Sequence, residues 1–145
     1  MKKSIALKII AIGIGIATGC SVRPRPIEYG HVPCHFCRMT IVDKQHAAQL
    51  VNKKGKVFNF DAIECMMNRL KDEDEPSMAL YMVNDFDQPG TLVDATKATY
   101  LISESIPSPM GAFLSAFSDG EKAQNVRDTN DGELLSWNQL KQQYK

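Results

Sequence analysis

Val57-Phe58-Asn59-Phe60-Asp61-Ala62-Ile63-Glu64-Cys65-Met66-Met67-Asn68-Arg69-Leu70 changes period in its middle, and that change decides the fold. Val57 to Phe60 is a short aromatic and β-branched run that reads as a strand. From there Ile63, Met66, Met67 and Leu70 recur at helical spacing and form a core-facing stripe. Asp61 is the expected N-cap, and Glu64 three residues on is its expected capping-box partner. The charged run Lys71 to Glu75, stopped by Pro76, ends the helix. Upstream, His46 to Val51 reads as a strand joined to Val57–Phe60 by a turn at Lys53-Lys54-Gly55-Lys56. Downstream, Met78 to Val83 reads as a buried strand.

The second half repeats this order. Ala98–Ser103 and Ala112–Phe117 read as strands, and Ser118 with Glu121 forms a second capping box opening a weak helix to about Thr129. Asn130-Asp131-Gly132 turns the chain into a last strand, Glu133 to Trp137, and Ser136 is placed to cap a short terminal helix. The two capping boxes stand 57 residues apart, an offset that also sets Phe60 over Phe117. The expected fold is therefore α+β: two related ββαβ units packed together, since neither holds enough apolar surface to stand alone. The units are placed at residues 31–88 and 89–145, with the turn-forming Gln88-Pro89-Gly90 at their boundary.

Residues 1–19 read as a signal peptide. Lys2 and Lys3 provide a positive start, Ile9 to Ala17 a short apolar core, and Gly19 a small residue before Cys20. The apolar run is too short for a permanent span. Ala17-Thr18-Gly19-Cys20 is similar to a bacterial lipobox, which makes Cys20 the expected lipidation site and the mature N-terminus. Residues 20–30 then form the lipidated start and a tether, with Ser21-Val22-Arg23-Pro24-Arg25-Pro26 stiff and polar. The expected location is the cell envelope, anchored by lipid to a membrane and facing the periplasm. Three of the 17 basic residues leave with the leader, which has no acid, so 14 remain against 17 acidic, a net charge of about −3. That balance argues against a nucleic-acid partner.

With Cys20 assigned to lipid, three of the four cysteines remain, an odd number that excludes a complete disulfide framework. Cys34-His35-Phe36-Cys37-Arg38-Met39 packs two thiols and a thioether into six residues. Soft sulfur ligands select soft ions, Cu(I) above all. If Thr40-Ile41-Val42 continues as a strand, Cys37 and Met39 share a face. A redox pair requires the CxxC at the head of a helix, where a strand-former follows instead. Structural zinc requires a second ligand pair at defined spacing. A plain disulfide remains open. Met110, in the turn Ser108-Pro109-Met110-Gly111, is a second candidate sulfur, whereas Cys65 reads as a buried structural cysteine and His35 as solvent-facing. No Ser/His/Asp arrangement, paired-carboxylate pocket or phosphate loop presents itself, so no enzymatic role is expected.

The segments CHFCRMTIV, HAAQLV, GKVFNFDAIECM, YMVNDF, TLVDATKATYLI and SPMGAFLSAF give the mature chain a resemblance to the NosL family of nitrous-oxide reductase accessory lipoproteins. The resemblance implies a pair of ββαβ units, a Cu(I) cargo, and Cys34, Cys37, Met39 and Met110 as its ligands. The partner it implies is nitrous-oxide reductase, or the membrane copper and sulfur machinery that assembles it, in denitrification. Where the family usually has glycine between the second cysteine and the methionine, this chain has Arg38, which lacks glycine's tolerance of positive φ. The competing reading is a membrane-anchored thiol–disulfide oxidoreductase using Cys34 and Cys37.

Overall fold

A computed structural model describes residues 21–72 and 77–145. The signal peptide, the lipobox with Cys20, and most of the acidic run ending at Pro76 lie outside the described residues. The first unit comprises β1 (Ala48–Asn52), β2 (Val57–Phe60), α1 (Ile63–Leu70), β3 (Met78–Asp85) and β4 (Gln88–Asp94). The second comprises β5 (Thr99–Ile102), β6 (Leu114–Phe117), α2 (Gly120–Asn130), β7 (Glu133–Leu135) and the terminal α3 (Trp137–Gln143).

The internal repeat is present in three dimensions. In each unit the first strand lies at the centre, flanked by the second strand and by the strand that follows the helix. The sheets run β2-β1-β3-β4 and β6-β5-β7, antiparallel throughout. Both β6 and α2 begin 57 residues after their counterparts β2 and α1. The first unit adds β4, so its sheet extends to Asp94 and the Gln88-Pro89-Gly90 segment opens a strand instead of separating the units.

Neither of the two expected capping boxes forms. The α1 N-cap is Ala62, in extended backbone with no side-chain cap. Asp61 and Glu64 are both buried, turned inward where a surface cap needs them outside. Asp119 caps α2 by accepting from the Glu121 N–H, and Ser118 bonds Asp85 instead. At α3 the expected cap is present as a full capping box of Ser136 and Gln139.

One core serves both units. Phe60, Met66 and Leu50 from the first pack in the same cluster as Tyr100, Leu114 and Trp137 from the second. A smaller cluster of Leu101, Phe117 and Ala123 fills the space between the second sheet and α2. Alternating residues of β5 and β6 thus face two cores, which is why Leu114 to Phe117 is buried at every position. The sheets are stitched directly where the Phe86 N–H donates to the Ala116 carbonyl. The tether is also part of the fold from Arg25 onward. The Arg25 N–H donates to Gln49 Oε1 at 2.9 Å, Gln49 Nε2 donates back to the Arg25 carbonyl at 2.8 Å, and Ile27 is buried. Among the described residues no helix is long and apolar enough to cross a membrane.

Candidate metal centre

The sulfur motif forms a closed loop and not the start of a strand. The Cys34 N–H donates to the Met39 carbonyl at 2.7 Å, and the Arg38 N–H to the Cys34 carbonyl at 3.1 Å. Only a single bridge, Pro33 to Thr40, stands where the strand Thr40-Ile41-Val42 was expected. Ile41 instead exchanges backbone hydrogen bonds with Gly30 and Val32, so its ladder groups are consumed locally. Strand alternation therefore does not align Cys37 with Met39. The loop is pressed onto β2 by the His35 N–H, which donates to the Asn59 carbonyl at 2.8 Å. The His35 ring stands edge-on to Phe58, half-buried and not free in solvent as expected. Burial, then the cations of Arg69, Arg38 and Lys56, lower its pKa from the ordinary imidazole value.

Arg38 takes the glycine conformation at this turn, with φ of +69°. The loop thus keeps the geometry a glycine gives, held against the side chain's own preference. A left-handed non-glycine residue is strained by about 1–2 kcal/mol, and glycine's greater unfolded-state freedom offsets part of any relief. Arg38→Gly is expected to stabilise the metal-free protein by roughly 0.5–1 kcal/mol, read as a higher thermal midpoint. A lowered midpoint would show that the guanidinium makes a contact worth more than the strain.

Cys65, in the first turn of α1, meets this loop. The Sγ atoms of Cys34, Cys37 and Cys65 all lie within 4.8 Å of one another. Cys34 and Cys65 are fully buried and Cys37 is partly exposed, so the cluster has one open corner. Cys34 is its electrostatic centre. The Cys65 S–H donates to Cys34 Sγ, backbone N–H groups of Asp61, Cys37 and Phe36 donate too, and together they overcome burial and lower its pKa. Cys65 is raised correspondingly, first by that same hydrogen bond and then by burial. Cys37 is raised by burial above all.

Three sulfurs about 2.3 Å from a common ion in a plane stand roughly 4 Å apart. The observed separations require only small side-chain adjustment to reach that geometry. The donor set is all sulfur, which fits a soft monovalent ion better than a hard cation. Cys65 is the member that sequence reasoning assigned to structure. Its available signal was the odd thiol count, because helical spacing beside an apolar stripe describes a core cysteine equally well.

Met39 and Met110 are both on the surface, 57 % and 39 % exposed, uncommon positions for large apolar side chains. The backbone N–H of Met39 donates to Cys37 Sγ, which puts this residue beside the open corner. Met110 lies in a loop fastened to α1, where Ser108 Oγ donates to Glu64 Oε1, one residue before Cys65. A contact chain resembling a catalytic triad does exist elsewhere. His46 Nδ1 is 2.9 Å from Asp43 Oδ2, and its Nε2 is 3.2 Å from Ser115 Oγ. Ser115 is fully buried in β6, so no substrate reaches its hydroxyl; the chain ties the first unit to the second sheet.

The NosL family model matches residues 26–145. The copper-binding lipoprotein NosL of Stutzerimonas stutzeri is 29% identical over 117 residues, spanning 75% of this chain. The aligned region is 62% of that relative's length. The crystal structure of the copper chaperone NosL from Shewanella denitrificans superposes with a TM-score of 0.71 at 22% identity, covering 81% of this chain and 95% of that one. At that identity the superposition establishes a shared fold.

Proposed function

Because the chain belongs to the NosL family, we propose that it is a Cu(I) carrier of the cell envelope, anchored through Cys20 and facing the periplasm. Its ion is cargo, held by Cys34, Cys37 and Cys65, and its recipient is nitrous-oxide reductase or the membrane machinery that assembles that enzyme's copper sites. The observation that carries this reading is the thiol triangle, three sulfurs from two elements within 4.8 Å. A relative named as a copper-binding lipoprotein supports both the cargo and the anchor.

The chemistry follows from exposure. Two buried thiols hold the ion against loss, while the exposed corner at Cys37 admits a competing ligand. Met39 and Met110 are the outer sulfurs through which the ion enters and leaves, as neutral thioethers that bind Cu(I) and release it readily. Transfer proceeds by ligand exchange: the recipient's sulfur or nitrogen adds at the open side before the carrier's thiolates leave. The carrier itself catalyses no bond change.

A thiol–disulfide exchange role fits less well. That chemistry needs an accessible thiolate, whereas Cys34, the lowered thiol, is fully buried and the exposed Cys37 is raised. The test is anaerobic titration of the reduced full chain in detergent with Cu(I) against a chromogenic chelator, with X-ray absorption at the copper edge. The expected result is one Cu(I) per chain in a sulfur-only shell at about 2.3 Å. Failure to compete with the chelator, alongside turnover in a disulfide-reduction assay, would replace the carrier by the oxidoreductase.

A further inference from the structure

Glu64 is a buried carboxylate whose placement the thiol triangle alone does not explain. One oxygen accepts from Ser108 Oγ, while the other, Oε2, is buried with no hydrogen-bond partner. Half-satisfied burial of a carboxylate is unfavourable, so packing alone is a poor reason for this residue. Its partner Ser108 has a second task. Ser108 Oγ accepts from the Phe113 N–H at 2.9 Å, and the Ser108 carbonyl accepts from the Gly111 N–H at 3.0 Å. The loop between them is therefore closed on itself, with Gly111 and Phe113 both held at positive φ, +74° and +59°. Met110 stands at its apex. Glu64 is the point at which this closed loop is fastened to α1, between Asp61, whose N–H binds Cys34 Sγ, and Cys65.

We propose that Glu64 is a positioning residue for copper capture, holding the Ser108–Phe113 loop against the start of α1 so that the Met110 thioether is presented to the thiol site. The inference rests on the Cu(I)-carrier reading and adds to it a residue that itself binds no copper. A hydroxyl both donates and accepts, so Ser108 passes the constraint from α1 into the loop backbone without a further partner. Glutamine retains an oxygen that accepts from Ser108, whereas alanine retains nothing.

The test is a double-mutant cycle on the full chain, with Cu(I) affinity measured by chelator competition. Glu64→Ala and Met110→Leu are each expected to weaken binding about 5- to 10-fold, and the double variant to be no weaker than Met110→Leu alone. Ser108→Ala should behave as Glu64→Ala, and Glu64→Gln should stay within about twofold of the parent. In the metal-free protein, the Met110 methyl resonance should move toward its flexible-chain position in Glu64→Ala and Ser108→Ala while the methyls of Met66 and Met67 hold theirs. Equal loss from Glu64→Ala with and without Met110 would overturn the proposal, as would an unmoved Met110 methyl. A parent protein that binds no Cu(I) while the methyl shifts as expected would instead overturn the carrier reading, and with it the purpose assigned to the loop.

Discussion

Cys34→Ser is expected to weaken Cu(I) binding by roughly 100- to 1,000-fold, the share of one thiolate in a soft-metal site of three. Cys34 is the thiol that four groups are arranged around, the S–H of Cys65 and backbone N–H groups from three residues, and it is fully buried. Serine offers a hard oxygen with a high pKa in the same place and cannot supply the soft anionic donor. Cys65→Ser is the sharper companion. A purely structural cysteine predicts a small loss of stability with unchanged affinity, whereas the triangle predicts a loss of affinity close to that of Cys34→Ser. Chelator competition on the two reduced variants decides it. If Cys65→Ser binds as the parent does, the ion sits on the Cys34–Cys37 loop with outside help, and the triangle is a packing coincidence.

The second large effect concerns the shared core. Phe60 is fully buried at the end of β2, and Phe60→Ala is expected to lower unfolding free energy by about 3–5 kcal/mol. Against a typical total of about 5–15 kcal/mol, such a loss places the variant near its limit of stability. The informative part is where the loss is seen. The chain has one tryptophan, Trp137, and it lies in the second unit, packed against Tyr81 from the first and Tyr100 from its own. Denaturant unfolding followed by Trp137 fluorescence should therefore shift with a substitution in the other unit, in a single transition that coincides with circular dichroism. Two transitions, or an unmoved tryptophan signal, would mean that the units fold separately.

The architecture was readable in the sequence because its signals are local and doubled. The strand-to-helix change at Phe60 occurs again at Phe117: composition located β2 and β6, helical spacing located α1, and a capping signal located α2. Legibility ended where long-range contacts override local chemistry. Asp61 and Glu64 carry the pattern of a surface cap, but the CxxC loop and the Ser108 loop cover the start of α1 and draw both carboxylates inside. Thr40-Ile41-Val42 has the composition of a strand, yet its backbone groups are taken by Gly30 and Val32. Gln88-Pro89-Gly90 looks like a boundary, since proline and glycine punctuate most chains; at the edge of a sheet they are tolerated, and there they begin β4. The same limit explains the site. Cys34 and Cys37 announce themselves by spacing, while Cys65 joins them through the packing of α1 against the loop, which no spacing encodes.

The clasp between Arg25 and Gln49 has a mechanical meaning. In the lipoprotein proposed above, lipid on Cys20 would leave only Ser21, Val22, Arg23 and Pro24 between the bilayer and a point fixed to the first sheet. Four extended residues reach roughly 14 Å, and Pro24 stiffens the last of them. A leash that short would confine the domain to a thin layer above the headgroups and limit its tumbling, so that its encounters would become a search in two dimensions. Lengthening the leash would widen the layer and dilute the carrier relative to any membrane-held recipient, without touching a single sulfur.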